Sequence, residues 1–353
     1  MNRSQTDQGK KTLRVGVAGL GKMGLLHAAI FNGLPGSQVV AAADSTATLR
    51  NAIGEINPDL QMFSDSIEML NKASLDAVVI ATPVADHIPT ALECVKKKIP
   101  FLMEKPLATS ASQAADLVAA LQKNPVSHMI GYMTRFIDTF IKGREVLKSN
   151  ALGGLQRVTA SIYVSQLFTK GKGWRYDKKI SGGGVILSQG SHLLDLLTWY
   201  FGPVKKVNAS MTSVYSPEIE DFGHLILDFQ SGLQCTLDTS WSVRFKRTVE
   251  TTIDILGDNG SLIISDDTVK LFLDEPQGGF PAGWSTWSAA DLYRGVQIDI
   301  GGPQYTREDI AFLEGIGGGG PMQPDILQAL HVQRIVDGAY ASSQNGGNGV
   351  VIQ

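Results

Sequence analysis

The run Gly19-Leu20-Gly21-Lys22-Met23-Gly24 is the first stretch of the chain whose residue types and spacing can do chemistry. Glycines at these intervals allow a tight turn (Gly19), a close approach of backbone to a diphosphate (Gly21) and a helix packed hard on a strand (Gly24). Alone the pattern is weak, because 38 glycines produce chance matches. Its setting strengthens it. The apolar run 13–18 precedes it, the helix-type run 25–31 follows, and Asp44 closes the next apolar run. A helix N-terminus placed there offers free N–H groups and partial positive charge to phosphates. A carboxylate at Asp44, followed by Ser45, accepts hydrogen bonds from ribose hydroxyls and repels a 2′-phosphate, so NAD is the expected cofactor. Arg50, one helical turn on, leaves NADP possible.

The elements that must position these residues alternate. Apolar runs at 39–43, 77–81 and 101–103 read as further strands, with a helical segment at 47–56. Strands alternating with helices imply βαβ units on a parallel sheet, an α/β Rossmann domain. Composition agrees with a globular chain of two domains: 353 residues, 43% hydrophobic and 18% charged, net charge −3. No Lys/Arg block or basic aromatic stripe stands out, so nucleic acid is not an expected partner. Two distant cysteines, Cys94 and Cys235, support neither a disulfide framework nor a zinc site, and no metal is expected. The absence of an 18-residue apolar run argues against a membrane span, and a cytoplasmic location is expected. The polar first eleven residues are expected to be disordered.

Further motifs follow in order: Ala81-Thr82-Pro83-Val84-Ala85-Asp86-His87, Met103-Glu104-Lys105-Pro106-Leu107, Ile130-Gly131-Tyr132-Met133-Thr134-Arg135-Phe136, Trp174-Arg175, Gly182-Gly183-Gly184 and Gly190-Ser191-His192-Leu193-Leu194-Asp195. With Ile255–Leu262 and the glycine fingerprint, the set resembles the Gfo/Idh/MocA family of NAD(P)-dependent oxidoreductases over nearly the whole chain. The resemblance implies catalytic roles for Lys105 and His192. A lysine of lowered pKa beside a cationic ring can manage the proton an alcohol loses with its hydride. His192 stands at the family's histidine position, opposite that lysine, where it can bond or shuttle the proton. Thr82, Pro83, His87, Glu104 and Lys105 are implied around the cofactor. Tyr132, Arg135, Trp174, Arg175, Ser188 and Asp221 are implied at the substrate. One departure stands out: Ser188 occupies the position where many members carry an aspartate. A serine orients a hydroxyl but is no acid or base at neutral pH. Asp195 reads as structural, and His27 as part of helix packing.

From about residue 155 strands follow in series, at 156–164, 204–215, 223–230, 234–241, 250–256 and 260–265, with hairpin-type turns at Ser231-Gly232 and Asp258-Asn259-Gly260. They imply an α+β domain with a large, mostly antiparallel open sheet. Its boundaries are expected at 12–136 for the nucleotide domain and 137–322 for substrate binding and oligomerisation, with 323–353 as a helix and tail packing back. By the resemblance, the sheet would pair subunits into a homodimer or homotetramer. The segment 276–304, rich in Gly, Pro and Trp, reads equally as a cover over a sugar ring or an oligomer arm. The expected activity is dehydrogenation of a secondary hydroxyl on a sugar, glycoside, cyclitol or sugar derivative. Two alternatives are a redox-neutral glycosidase or lyase with transient ring oxidation, and a non-catalytic NAD-binding sensor.

Overall fold

The computed structural model describes residues 12–318 and 322–353. The tail expected to be disordered lies outside the described residues. The apolar runs form a six-stranded parallel sheet: β1 (Leu13–Ala18), β2 (Ser37–Ala43), β3 (Gln61–Phe63), β4 (Ala77–Ile80), β5 (Phe101–Glu104) and β6 (His128–Gly131), in the order β3-β2-β1-β4-β5-β6. Every residue of β4 and β5 is buried, as a strand covered on both faces requires. Helices α1 (Lys22–Gly33), α2 (Ala47–Ile56), α3 (Ser66–Lys72), α4 (His87–Lys97) and α5 (Ala111–Lys123) connect the strands. The strand order turns back between β1 and β4. Their carboxyl ends therefore form the switch point at which open α/β sheets take ligands.

The second sheet has nine strands. β7 (Leu155–Tyr163), β8 (Val204–Thr212), β9 (Phe222–Phe229), β10 (Gln234–Ser240), β11 (Glu250–Gly257), β12 (Gly260–Ser265), β13 (Thr268–Leu273), β14 (Gly283–Ser288) and β15 (Val350–Val351) lie in the order β14-β13-β12-β11-β7-β10-β9-β8-β15. Only β7 and β10 pair in parallel. Burial alternates along β9 and β11, the signature of a sheet covered on one face. The remaining helices are α6 (Asp138–Lys148), α7 (Lys178–Ser181), α8 (Ser191–Phe201), α9 (Ala289–Leu292), α10 (Pro303–Ile316) and α11 (Ile326–Gln344). Of these, α6, α8 and α11 pack on the second sheet. Among the described residues no helix is long and apolar enough to cross a membrane.

Contacts divide the chain into two compact units that interleave in sequence. Residues 1–104, 119–131 and 296–323 form one, and 105–118, 132–295 and 324–353 the other. This division differs from single cuts after 136 and 322. Helix α10 joins the nucleotide unit because Phe312 packs edge-on against Phe31 of α1, with ring centroids 6.3 Å apart.

The aromatic stretch is partly built into the second sheet. Residues 283–288 form the edge strand β14, and Trp284 packs at a tilt against Phe272 of the neighbouring strand. Trp287 lies beneath the Lys142 ammonium, 4.6 Å from its ring centroid.

Candidate active site

The fingerprint glycines have separable reasons. Gly19 adopts φ +89°, and a Cβ there would sit 2.5 Å from the Ala81 carbonyl oxygen beyond β4. A Cβ at Gly24 would sit 1.8 Å from the Gly19 oxygen. Both are demanded by the fold itself. Gly21 is not: its Cβ position has nothing within 4 Å, and it stands exposed at the N-terminus of α1 with no side-chain cap. An open glycine before uncapped N–H groups is the arrangement a diphosphate needs. Leu20 is buried, whereas Lys22 is exposed and Met23 half-buried.

Asp44, at the end of β2, accepts from the Leu20 N–H at 2.8 Å and the Thr46 N–H at 2.8 Å. Partial burial opposes its ionisation, but these bonds and the Arg50 charge prevail and hold its carboxyl below the usual range. Arg50 is engaged in turn, donating to the Asp44 carbonyl at 2.6 Å. Ser45 is exposed beside it. At the end of β4, His87 Nε2 lies 3.0 Å from the Thr82 carbonyl, while the buried Thr82 Oγ1 has no hydrogen-bond partner among the described residues. Pro83 is exposed next to it. The open glycine, the bare helix end, the ionised Asp44 and the orphaned Thr82 hydroxyl together fit a dinucleotide.

Glu104 closes the nucleotide unit at the end of β5, held by a buried network. His27 Nε2 lies 3.1 Å from Glu104 Oε1, and Nδ1 lies 2.8 Å from Asp309 Oδ1 on α10. Burial alone would lower the pKa of His27. The Asp309 and Glu104 carboxylates outweigh it and raise the pKa well above the ordinary imidazole range, so His27 is an imidazolium. Gly131 makes room, since a Cβ there would come within 3.4 Å of Glu104.

In the second unit Lys105 Nζ donates to the Ser188 carbonyl at 2.8 Å. Ser188 lies in a single π turn, Ile186–Gly190, that runs directly into α8. Such turns re-aim backbone groups and recur at functional sites. The turn is fixed by a buried carboxylate. Glu220 Oε1 accepts from Gly184 N, Ile186 N and Tyr340 Oη at 3.1, 3.0 and 2.8 Å. That explains the glycine run, because a Cβ at Gly183 would sit 2.0 Å from Tyr340 Oη and one at Gly184 2.1 Å from the Glu220 carbonyl.

His192, in the first turn of α8, is 6% exposed and its Nδ1 has no partner among the described residues. Burial, then the charge of Lys105, lowers its pKa well below the ordinary value, so its imidazole is neutral. Tyr132 meets it edge-on at 5.9 Å, and burial pushes the Tyr132 phenol up.

Three residues expected at the substrate make bonds within the protein. Arg135 is buried, with Nε and Nη2 bound to the two oxygens of Asp195 at 2.7 and 2.6 Å and Nη1 to Gln328. A guanidinium so saturated braces α8, and Asp195 is its counter-ion. Asp221 is fully buried, and its Oδ2 accepts from the Val214 and Tyr215 N–H groups, while its Oδ1 has no partner among the described residues. Ser188 contributes its backbone carbonyl to Lys105. Arg175 is exposed in the turn Trp174–Tyr176, and the side chain of Trp174 lies outside the described residues.

The family models bear on this geometry. Residues 13–132 match the model described as oxidoreductase family, NAD-binding Rossmann fold, and residues 140–263 match the GFO/IDH/MocA C-terminal domain. The chain belongs to the Gfo/Idh/MocA oxidoreductases. It is an NAD-dependent oxidoreductase with a Rossmann domain and a second, largely antiparallel domain. Inositol 2-dehydrogenase 2 of Paenarthrobacter aurescens is 27% identical over 80% of this chain and 84% of its own length. D-glucoside 3-dehydrogenase of Escherichia coli is 23% identical over 95% of this chain and 96% of its own length. Levoglucosan dehydrogenase, solved with NADH and levoglucosan, shares the fold at a TM-score of 0.86 and 19% identity, covering 96% of this chain and 99% of that one.

Sequence reasoning missed the His27–Asp309 bond, the Glu220 cap and the carbonyl partner of Lys105. Asp309 stands 282 residues from His27 and Ser188 stands 83 from Lys105. No local pattern signals pairings of that kind.

Proposed function

We propose that the enzyme oxidises a secondary hydroxyl of a sugar, glycoside, cyclitol or related derivative. The bound nicotinamide supplies the hydride acceptor. Lys105, a cation at rest, first gives a proton to the neutral His192, and its freed amine then takes the hydroxyl proton. The observation that carries this reading is the pairing of Lys105 with the Ser188 carbonyl, one turn before a buried, neutral His192 whose Nδ1 has no partner among the described residues. A fixed carbonyl orients the amine without neutralising it. The enzymes of related sequence are named for inositol and glucoside substrates. The ribose position favours NAD over NADP, because Asp44 is ionised and Arg50 is turned onto the Asp44 carbonyl.

Assembly into a homodimer or homotetramer through the second sheet belongs to the same proposal. The sheet face away from the core carries the half-buried Ile263 and Phe272 and the exposed Leu256 and Trp284. A cytoplasmic setting fits the two free, buried thiols of Cys94 and Cys235.

The test is NADH formation over a panel of sugars, glycosides, inositols and sugar derivatives, with NADP run alongside. Stoichiometric NADH is the expected result. Product formed without net NADH would replace the proposal with redox-neutral chemistry.

A further inference from the structure

The chain carries a net charge of −3, yet one part of its second unit concentrates cations. Between Phe168 and Lys179 stand Lys170, Lys172, Arg175, Lys178 and Lys179, all exposed, against the single acid Asp177. The segment 243–247 adds Arg244, Lys246 and Arg247 and no acid. The two segments are joined. Ser165 N donates to the Lys246 carbonyl at 2.8 Å, Lys246 N donates to Ser165 Oγ at 2.9 Å, and the Arg244 guanidinium lies over the Phe168 ring at 4.9 Å.

This surface is built rather than incidental. Gly171 lies against Tyr176 so closely that a Cβ would sit 2.4 Å from the ring. Tyr176 packs on Trp241 with centroids 5.7 Å apart, and the Asp177 carboxylate caps α7 through the Lys179 N–H at 2.9 Å. Lys246 is paired with Glu250, whereas Lys170, Lys172, Lys178, Lys179, Arg244 and Arg247 form no ion pair among the described residues. Cations that outnumber the acids among them repel one another, and an arriving anion relieves that repulsion.

Two further features tie the surface to a ligand and to the site. Trp241 is fully buried, and among the described residues neither its Nε1 nor the buried Oγ of the neighbouring Ser242 has a partner, both at the point where the second basic segment leaves β10. Orphaned buried donors of this kind call for an explanation, and a bound polar molecule supplies one. The first basic segment runs through α7 and Gly182–Gly184 into the turn that carries Ser188 and His192. Gly182 itself lies against Thr109, a Cβ there coming 2.9 Å from the Thr109 Cα, four residues beyond Lys105.

We propose that these two segments form an anion-recognition surface at the substrate end of the site, and that the substrate is an acidic sugar derivative. Its carboxylate or phosphate engages the lysines and arginines while its hydroxyl meets Lys105. The inference rests on the dehydrogenase reading above for the placement of the reacting hydroxyl.

The experiment compares NADH formation with D-glucuronate, D-glucose 6-phosphate and UDP-glucuronate against D-glucose and myo-inositol, in the full chain. At least one anionic compound should exceed the neutral ones by about tenfold or more in kcat/KM, and sodium chloride should erode that advantage. The carboxylate and phosphate arms identify which anion is read. Lys178→Gln/Lys179→Gln and Arg244→Gln/Arg247→Gln should raise KM for the anionic substrate about tenfold, with kcat and the neutral-sugar KM little changed. Equal turnover of neutral and anionic compounds, insensitive to salt, would overturn the inference and leave the dehydrogenase reading standing. If no compound is turned over, calorimetry with glucuronate and glucose 6-phosphate separates the two. Binding lost in the variants would support the surface while the dehydrogenase reading fails, and no binding would overturn both. Tighter binding of a single-stranded oligonucleotide than of either sugar anion would also overturn it.

Discussion

His27 and His192 are the same side chain at nearly the same burial, and they end in opposite charge states. His27, in the nucleotide unit, lies between Asp309 and Glu104 and carries a proton. His192, in the second unit, is flanked by the Lys105 cation and is neutral. Burial pushes both toward neutrality, so the sign of the nearest charge decides. A buried imidazolium between carboxylates is a structural cation holding the end of β5. A buried neutral imidazole whose Nδ1 has no partner among the described residues is the one we propose for proton transfer. The comparison separates framework from chemistry better than residue type does.

Removing a carboxylate partner attacks the framework side hardest. Asp309→Ala should cost about 3–5 kcal/mol of stability in urea unfolding, since it strands a buried charge. A loss below about 1 kcal/mol would mean that His27 is not held as a cation. On the other side, His192→Gln should leave stability nearly intact while lowering kcat by about a hundredfold or more, the range for a general acid–base group. A stability loss with unchanged kcat would make His192 a packing residue.

The charge states also differ in their response to pH. The folded pKa of His27 is raised, so the stability it contributes is fully present below its unfolded value of about 6.5 and is lost as pH rises through the folded value. Wild-type stability should therefore decline on the alkaline side, by at most about 1.4 kcal/mol per pH unit, and His27→Gln should flatten that decline. An unchanged slope in the variant would assign the decline to another group. The smallest effect expected is on the cofactor: Asp44→Ala should weaken NAD binding about tenfold and NADP less. Equal weakening of both would remove Asp44 as the ribose ligand.

Much of the fold was legible in the sequence because its signals are local. Continuous apolar runs gave β1, β2, β4 and β5. Turn residues gave the β9–β10 and β11–β12 hairpins, and the glycines with Asp44 gave the switch point. What stayed hidden depends on pairings far apart in the chain. Arg135 looks like a wall residue until Asp195, 60 positions on, is seen to take its guanidinium. Nothing local in the sequence signals that Asp221 Oδ2 takes two N–H groups of its own loop. Strand β14 was obscured because Trp284 and Trp287 sit among glycines and prolines that suggest a loop. The basic segments at 168–179 and 243–247 were overlooked for a related reason. Each is modest alone, and only the Ser165–Lys246 pairing sums their charge.

The central claim is that Lys105 takes the substrate proton, and the most direct test is single-turnover hydride transfer by Lys105→Ala beside a measurement of NAD affinity. The account predicts a loss of about a thousandfold or more in the transfer rate, with NAD affinity within about twofold of wild type. Transfer at a near-normal rate with NAD bound would contradict it.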